Sequence, residues 1–281
     1  MAEETDNSVS VVREAGVVTV TLDRPDVRNA LTEDVTAGLR DAFDSLDDDT
    51  RCVVLEGAGG AFCAGGDINA MMEVRGGEKS MEEAVRHVID DTAGAVKRVH
   101  DCRFPTVAKI DGPAVGAGGA LALACDLRVF SPEGRIGFNF EQLGLAVDSG
   151  VSYLLPREVG AGVAKELVYT GEVLDAERAA DLGLANRVFG TAGDGEGSRR
   201  GDGDEDESFE DAFDSFVGEL AAGPTAALRT SKRLLRRGFE TSLDAAIEHE
   251  AAAQASLFGT DDHAEGVDAF LERRDPEFGG R

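Results

Sequence analysis

Four glycines in eight residues (Gly112, Gly116, Gly118 and Gly119) open the stretch Asp111 to Asp126, DGPAVGAGGALALACD, and run into an apolar segment, Ala120 to Cys125, that reads as a buried helix. Glycine lets a backbone approach a ligand closely and adopt angles that other residues resist. The first amides of a helix have no acceptor inside it, so a glycine turn feeding a helix is a ready anion site. The plainer reading of one such turn is tight core packing. A second turn, Gly57 to Asp67 (GAGGAFCAGGD), follows the apolar strand Cys52 to Leu55. Two loops with bare amides, each after a strand, point to one oxygen held from two sides.

The rest of the chain must build a scaffold for those loops. Its 281 residues are enough for a sizeable core, and with no Trp that core is filled by Val, Leu and Ala. Val17 to Leu22 reads as a strand from its β-branched content. Thr32 caps a helix, Glu33 to Leu46, with apolar residues at Val35, Leu39, Ala42, Phe43 and Leu46, and Arg51 to Leu55 is the next strand. Strand, helix and strand at this spacing predict a parallel β-α-β unit. Ile68 to His100 is helical in pattern but broken at Gly76-Gly77, and is expected to form a lid or pocket wall. Pro105 to Lys109 and Leu127 to Phe130 read as strands flanking the glycine stretch, and Arg135 to Phe140 alternates. Tyr153 to Leu155, Gly160 to Thr170 and a short segment from Asp175 to Gly183 look helical.

Residues Gly190 to Glu210 are rich in Gly, Asp and Glu without apolar periodicity, and are expected to be a mobile acidic insertion. Only helices follow, near Asp211 to Ala222, Pro224 to Arg236, Ser242 to Phe258 and through Gly266 to Arg273. Three regions are expected: an α/β core over 1–189, the insertion over 190–210 and a helical C-terminal layer over 211–281.

Charge and motif content then exclude several functions. Acidic residues outnumber basic ones 55 to 28, for a net charge of -27. Such a surface repels nucleic acid and anionic membrane. Only five of the basic residues are lysine, and a carboxylate-rich, lysine-poor surface is expected of a protein soluble in a high-salt cytoplasm. Met1 to Ser10 is acidic and polar, with no apolar leader core. Ala114 to Cys125 is too short to span a bilayer, and the four cysteines lie far apart without a C-x-x-C. A reducing, cytoplasmic location is therefore expected. Neither glycine loop has the dinucleotide spacing, because the final glycine is replaced by Leu121 in one and Phe62 in the other, and no P-loop is present. No His and acid cluster has metal-ligand spacing. His87, His100, His249 and His263 are expected on the surface.

Arg24-Pro25, Arg28-Asn29-Ala30-Leu31, GAGGAFCAGGDI (Gly57 to Ile68), DGPAVGAGGALALACDLR (Asp111 to Arg128) and EGVDAFLERRDPEF (Glu265 to Phe278) together resemble the crotonase, or enoyl-CoA hydratase/isomerase, family over nearly the whole chain. The resemblance implies an α/β spiral of β-β-α repeats, acyl-CoA thioesters as substrates with no separate cofactor, and homotrimers often paired into hexamers. It implies that two backbone amides, those of Gly66 and Ala117, hold the thioester oxygen as it becomes an enolate, with Gly116 and Gly118 as neighbouring alternatives to Ala117. It also implies that Ala64, Asp67 and Ile68 line the CoA site with Gly118 nearby, and that Arg28 reaches the phosphates. The basic run Arg229 to Arg237 reads equally as a CoA-attracting patch or a solvated helix face.

The reaction is set by the acids. Family hydratases resemble one another in two glutamates, which would fall here at Ala120 and Phe140, and both are absent. Glu141 lies one residue from the second position. Asp148, in Leu145-Ala146-Val147-Asp148-Ser149-Gly150, matches the segment that carries a catalytic aspartate in the family's dienoyl-CoA and ring-epoxide phenylacetyl-CoA isomerases. One carboxylate beside an enolate site can move a proton between two carbons, so the preferred expectation is an enoyl-CoA isomerase using Asp148. The alternatives are a hydratase in which Glu141 or Asp148 activates water, a silent acyl-CoA-binding or assembly subunit, and, for Asp148 itself, a turn-capping role.

Overall fold

The structure, a computed structural model, describes residues 8–190 and 208–281. Its frame is a six-stranded sheet in the order β1 (Val9–Glu14), β2 (Val17–Leu22), β3 (Cys52–Gly57), β4 (Thr106–Ile110), β6 (Leu127–Phe130) and β9 (Arg187–Val188). β1 and β2 form an antiparallel hairpin, and every later neighbour is parallel. A smaller sheet orders β5 (Pro113–Val115), β7 (Arg135–Gly137) and β8 (Val173–Asp175). The chain winds between the two: β4 leads to β5 and then to helix α5 (Ala117–Ala124), and β6 leads to β7 and then to α6 (Val151–Thr170). These are the turns of the expected β-β-α spiral.

Parallel strands covered on both faces carry apolar residues on both. In β3, Val53 and Leu55 join the main core, whereas Cys52 and Val54 face a second cluster with Ala212, Phe213, Val217 and Ala221 of α8 (Phe209–Ala222). The main core takes Val35, Leu39 and Phe43 from α1 (Glu33–Asp44), whose N-terminus is capped by the Thr32 hydroxyl as expected. Every residue of α5 is buried.

α2 (Ile68–Gly76) ends where Gly77 turns left-handed, at the predicted break. α3 (Met81–Arg86) and α4 (Ala93–His100) follow, joined by a π-helical turn over His87–Thr92. After β8 comes the short α7 (Ala176–Asp181), and the C-terminal layer is α8, α9 (Thr225–Gly238), α10 (Leu243–Leu257) and α11 (Asp261–Glu272).

Three sequence expectations need correction. The hairpin strand β1 was missed because its Val positions follow a polar N-terminus, and β5, β8 and β9 are too short for a period to register. Helix α5 begins at Ala117 rather than Ala120, so Gly118 and Gly119 are helical. Of the insertion expected over 190–210, residues 191–207 lie outside the described residues. Its predicted end does not hold: Ser208 caps α8, which already includes Phe209 and Glu210. Among the described residues no helix is long and apolar enough to cross a membrane.

Candidate active site

Strand order brings the two glycine loops together. β3 and β4 are adjacent and parallel, so the segments leaving their C-terminal ends emerge on the same edge of the sheet, where open α/β sheets bind ligands. The loops are then zipped by their own backbones: Cys63 N donates to Pro113 O at 3.0 Å, and Val115 N donates to Cys63 O at 3.0 Å. A side chain at Gly65 would place its Cβ 2.8 Å from Val115 O and 3.4 Å from Ala117 N, and Gly65 has φ +96°. Only glycine tolerates that approach and that angle. Gly118 packs as closely, its would-be Cβ 2.2 Å from Cys63 O.

The amides at this junction divide into used and unused. Gly116 N donates to Gly137 O at 3.0 Å. Ala117 is the first residue of α5, so its N–H has no acceptor within the helix. No described loop hydrogen bond uses the Gly66 N–H, and Gly66, Gly116 and Ala117 line one cavity of about 270 Å³.

Asp148 lines the same cavity. It stands in the turn before α6, where Ser149 holds a left-handed φ of +50° and Gly150 one of +87°. A serine in that region is strained by about 1–3 kcal/mol. The Asp148 carbonyl accepts from Val151 N at 3.0 Å, yet the carboxylate caps nothing: its Oδ1 is buried without a hydrogen-bond partner, as is Ser149 Oγ, and Gly150 begins α6 without a side-chain cap. Burial lifts the Asp148 carboxyl above its ordinary value, and the nearby Ser149 hydroxyl only partly offsets this. The surrounding wall is largely apolar, with Ile68, Met71, Val74, Val88, Phe140 and Leu143 among its residues.

The described site geometry and chain-wide likeness now coincide. The family model for enoyl-CoA hydratase/isomerase matches residues 12–198 and 202–281. The chain belongs to the enoyl-CoA hydratase/isomerase, or crotonase, family. It is 32% identical over 269 residues to the mitochondrial methylglutaconyl-CoA hydratase of Mus musculus, covering 94% of this chain and 80% of that one. It is 31% identical over 271 residues to the 1,2-epoxyphenylacetyl-CoA isomerase of Escherichia coli K12, covering 95% and 97%. The crystal structure of an enoyl-CoA hydratase from Bacillus anthracis superposes with a TM-score of 0.83 at 29% identity, covering 98% of this chain and all of that one. The fold is thus the crotonase fold, and the chain is an enzyme of that family.

Within this crotonase-family chain the predicted site residues separate. Gly66, Ala117, Asp148, Asp67 and Ile68 line the cavity. Asp67 also caps α2, accepting from Asn69 N at 2.8 Å, and Ile68 is half exposed at 52%. Glu141 is not brought in. It stands outside the lining, with its carboxylate against Gly171, where a Cβ would lie 1.9 Å from Oε1. Position 140 is occupied by the buried Phe140 and position 120 by the buried Ala120. Gly118 lies under the loop against Cys63, outside the lining. Ala64 and Arg28 are neighbours through Ala64 N donating to Arg28 O at 2.9 Å, with the Arg28 side chain exposed and outside the cavity.

Two functional features escaped the sequence reading. Asn29, fully buried with φ +57°, donates to Ala58 O at 2.9 Å and Ala61 O at 2.8 Å and accepts from Arg24 N at 2.8 Å, so it ties the first motif to the first glycine loop. His87 was expected on the surface but lines the cavity, its side chain 26% exposed. The buried Cys63 is free, and burial pushes its thiol up to about 12, so it stands protonated at neutral pH.

Proposed function

We propose that this enzyme moves the double bond of an enoyl-CoA, with Asp148 as acid and base and the Gly66 and Ala117 amides holding the thioester oxygen. The observation that carries the reading is the Asp148 carboxylate: half-buried in the lining of an apolar cavity beside unused loop amides, with one buried, unpartnered oxygen. The carboxylate takes a proton from C2 of a 3-enoyl-CoA, and the released electron pair spreads onto the thioester oxygen. The proton returns at C4, and the double bond moves to C2–C3. Each preorganised amide donor is worth a rate factor of about 10²–10³. Ala120 and Phe140, at the positions of the family's paired glutamates, leave this single carboxylate to do both transfers.

The rest of the reading follows from the same site. CoA enters as part of the substrate, so no separate cofactor is needed. Asp67 and Ile68, with Ala64 behind them, meet the CoA portion, and the exposed Arg28 reaches its phosphates. The exposed apolar residues of the C-terminal layer, among them Leu235, Phe239, Leu243 and Phe270, support assembly into trimers or hexamers, since large apolar patches mark interfaces. Hydration of a 2-enoyl-CoA is the second reading, supported by relatives that bear the name hydratase.

An ultraviolet assay separates the two. A 3-enoyl-CoA gains the conjugated thioester absorbance when isomerised, whereas crotonyl-CoA loses it when hydrated. A steady gain with the 3-enoyl ester is expected. Absence of any gain, with the ester bound, rejects isomerisation.

A further inference from the structure

The wall of the cavity carries a second titratable pair that the proton shuttle at Asp148 does not use. His87 Nδ1 lies 2.9 Å from Asp91 Oδ2, four residues on, and both side chains are only about a quarter exposed, at 26% and 24%. An ionised carboxylate only accepts hydrogen bonds, so in the neutral imidazole the proton sits on Nδ1 and Nε2 is left as a bare acceptor. No described group satisfies Nε2, while His87 lines the cavity shared by Asp148, Gly66 and Ala117.

Asp91 is itself held. Arg40 of α1 places Nη1 3.3 Å from Asp91 Oδ1 and donates to Asp90 O at 2.7 Å. Guanidinium, carboxylate and imidazole thus form a chain running from α1 to the cavity. The backbone carrying it is the π-helical turn His87–Thr92, a rare geometry concentrated at functional sites because the widened turn redirects side chains. A base oriented by a carboxylate through its far nitrogen is the arrangement that activates a nucleophile by removing its proton.

We propose that His87, oriented by Asp91, is a second proton-handling group of this cavity, the one that takes a proton from water and lets the enolate site add water to a 2-enoyl-CoA. The inference rests on the enolate site proposed above. The water oxygen bonds to C3 as its proton passes to Nε2. The C2–C3 π pair moves onto the thioester, charging the oxygen held by the two amides. Asp148 in its neutral form then gives its proton to C2 as the enolate collapses. The product is a 3-hydroxyacyl-CoA, and solvent exchange returns the proton from His87 to Asp148.

The test compares two rates on each variant, the loss of absorbance with crotonyl-CoA and the gain with a 3-enoyl-CoA. Wild type is expected to show both. His87→Ala is expected to lower hydration about 10²-fold more than isomerisation, and added imidazole to restore part of the hydration rate. Asp91→Asn is expected to lower kcat for hydration without a matching rise in KM, and Asp91→Glu to recover much of it. An inactive wild type toward crotonyl-CoA, equal losses of both rates in His87→Ala, or no response to imidazole overturns the proposal. Isomerisation that survives Asp148→Asn instead rejects Asp148 as the acid and base of the proposed isomerisation, and is told apart because the His87 variants are scored on hydration.

Discussion

At position 148 a carboxylate is kept where water would ordinarily be preferred. Its buried oxygen has no donor and its pKa is raised by burial, so the charged form costs folding free energy. The sign follows from linkage. With the folded pKa above the ordinary 3.8, the protein loses stability as pH rises through the folded value and keeps it below 3.8. Asp148→Asn is therefore expected to raise the melting temperature at pH 7, with the advantage vanishing in acid. The same change is expected to lower isomerisation by about 10²–10⁴-fold while CoA-ester affinity holds. Thermal melts at two pH values and a binding titration check this, and a fully active variant places the base elsewhere. In the wild type, activity that needs the carboxylate falls on acidification at a higher pH than an ordinary aspartate would give. Asn29 teaches a different lesson. The motif around it was legible, but the three backbone groups it binds come from residues 24, 58 and 61, and no local pattern announces such partners.

Among the elements, helix α5 and the loop before α2 decide the chemistry together. The glycines of the second loop read as a turn leading into a helix at Ala120, yet Gly118 and Gly119 are already the first turn of that helix, kept small because Cys63 O and Gly137 O occupy the space of a Cβ. That shift puts Ala117 at the helix start and frees its amide. Gly65 is the point of contact from the other side. Gly65→Ala is expected to leave the fold intact but push the loops apart, lowering turnover by about 10²–10³-fold, the worth of one oxyanion donor. Circular dichroism and kcat measured on the same preparation check it, and wild-type turnover would show that the approach is not needed. The π turn bearing His87 was invisible in sequence for a related reason. His87–Thr92 continues a helical pattern, and the turn itself and α4 are packed on α1, a tertiary contact that no local pattern records.

Over the whole molecule the scaffold is separable from its decoration. Gly190 and Phe209 flank the acidic insertion and lie close in space, a Cβ on Gly190 standing 3.4 Å from that of Phe209. Closing the chain there spans little distance, and loop length is a weak term in stability. Deleting residues 191–206 is therefore expected to leave activity within a few-fold of wild type, and loss of activity or of assembly would assign the segment a role. Lys109 adds a tie at this edge, with Nζ 2.6 Å from Glu210 Oε2 and 3.4 Å from Glu56 Oε2, which joins the sheet to the start of α8.

The sequence by itself determined the strands and helices with a clear period, the helical C-terminal layer, the family and the five residues that do reach the cavity, because these rest on local patterns and ordered motifs. The tertiary structure alone decided that Gly116 spends its amide on Gly137 O while Ala117 starts the helix, that Glu141 faces Gly171 while Asp148 faces the cavity, and that His87 leaves the surface for the site. Each of those depends on two segments far apart in the chain meeting at a sheet edge or a helix pair. A one-dimensional pattern records the residues of such a meeting but not the direction from which they approach.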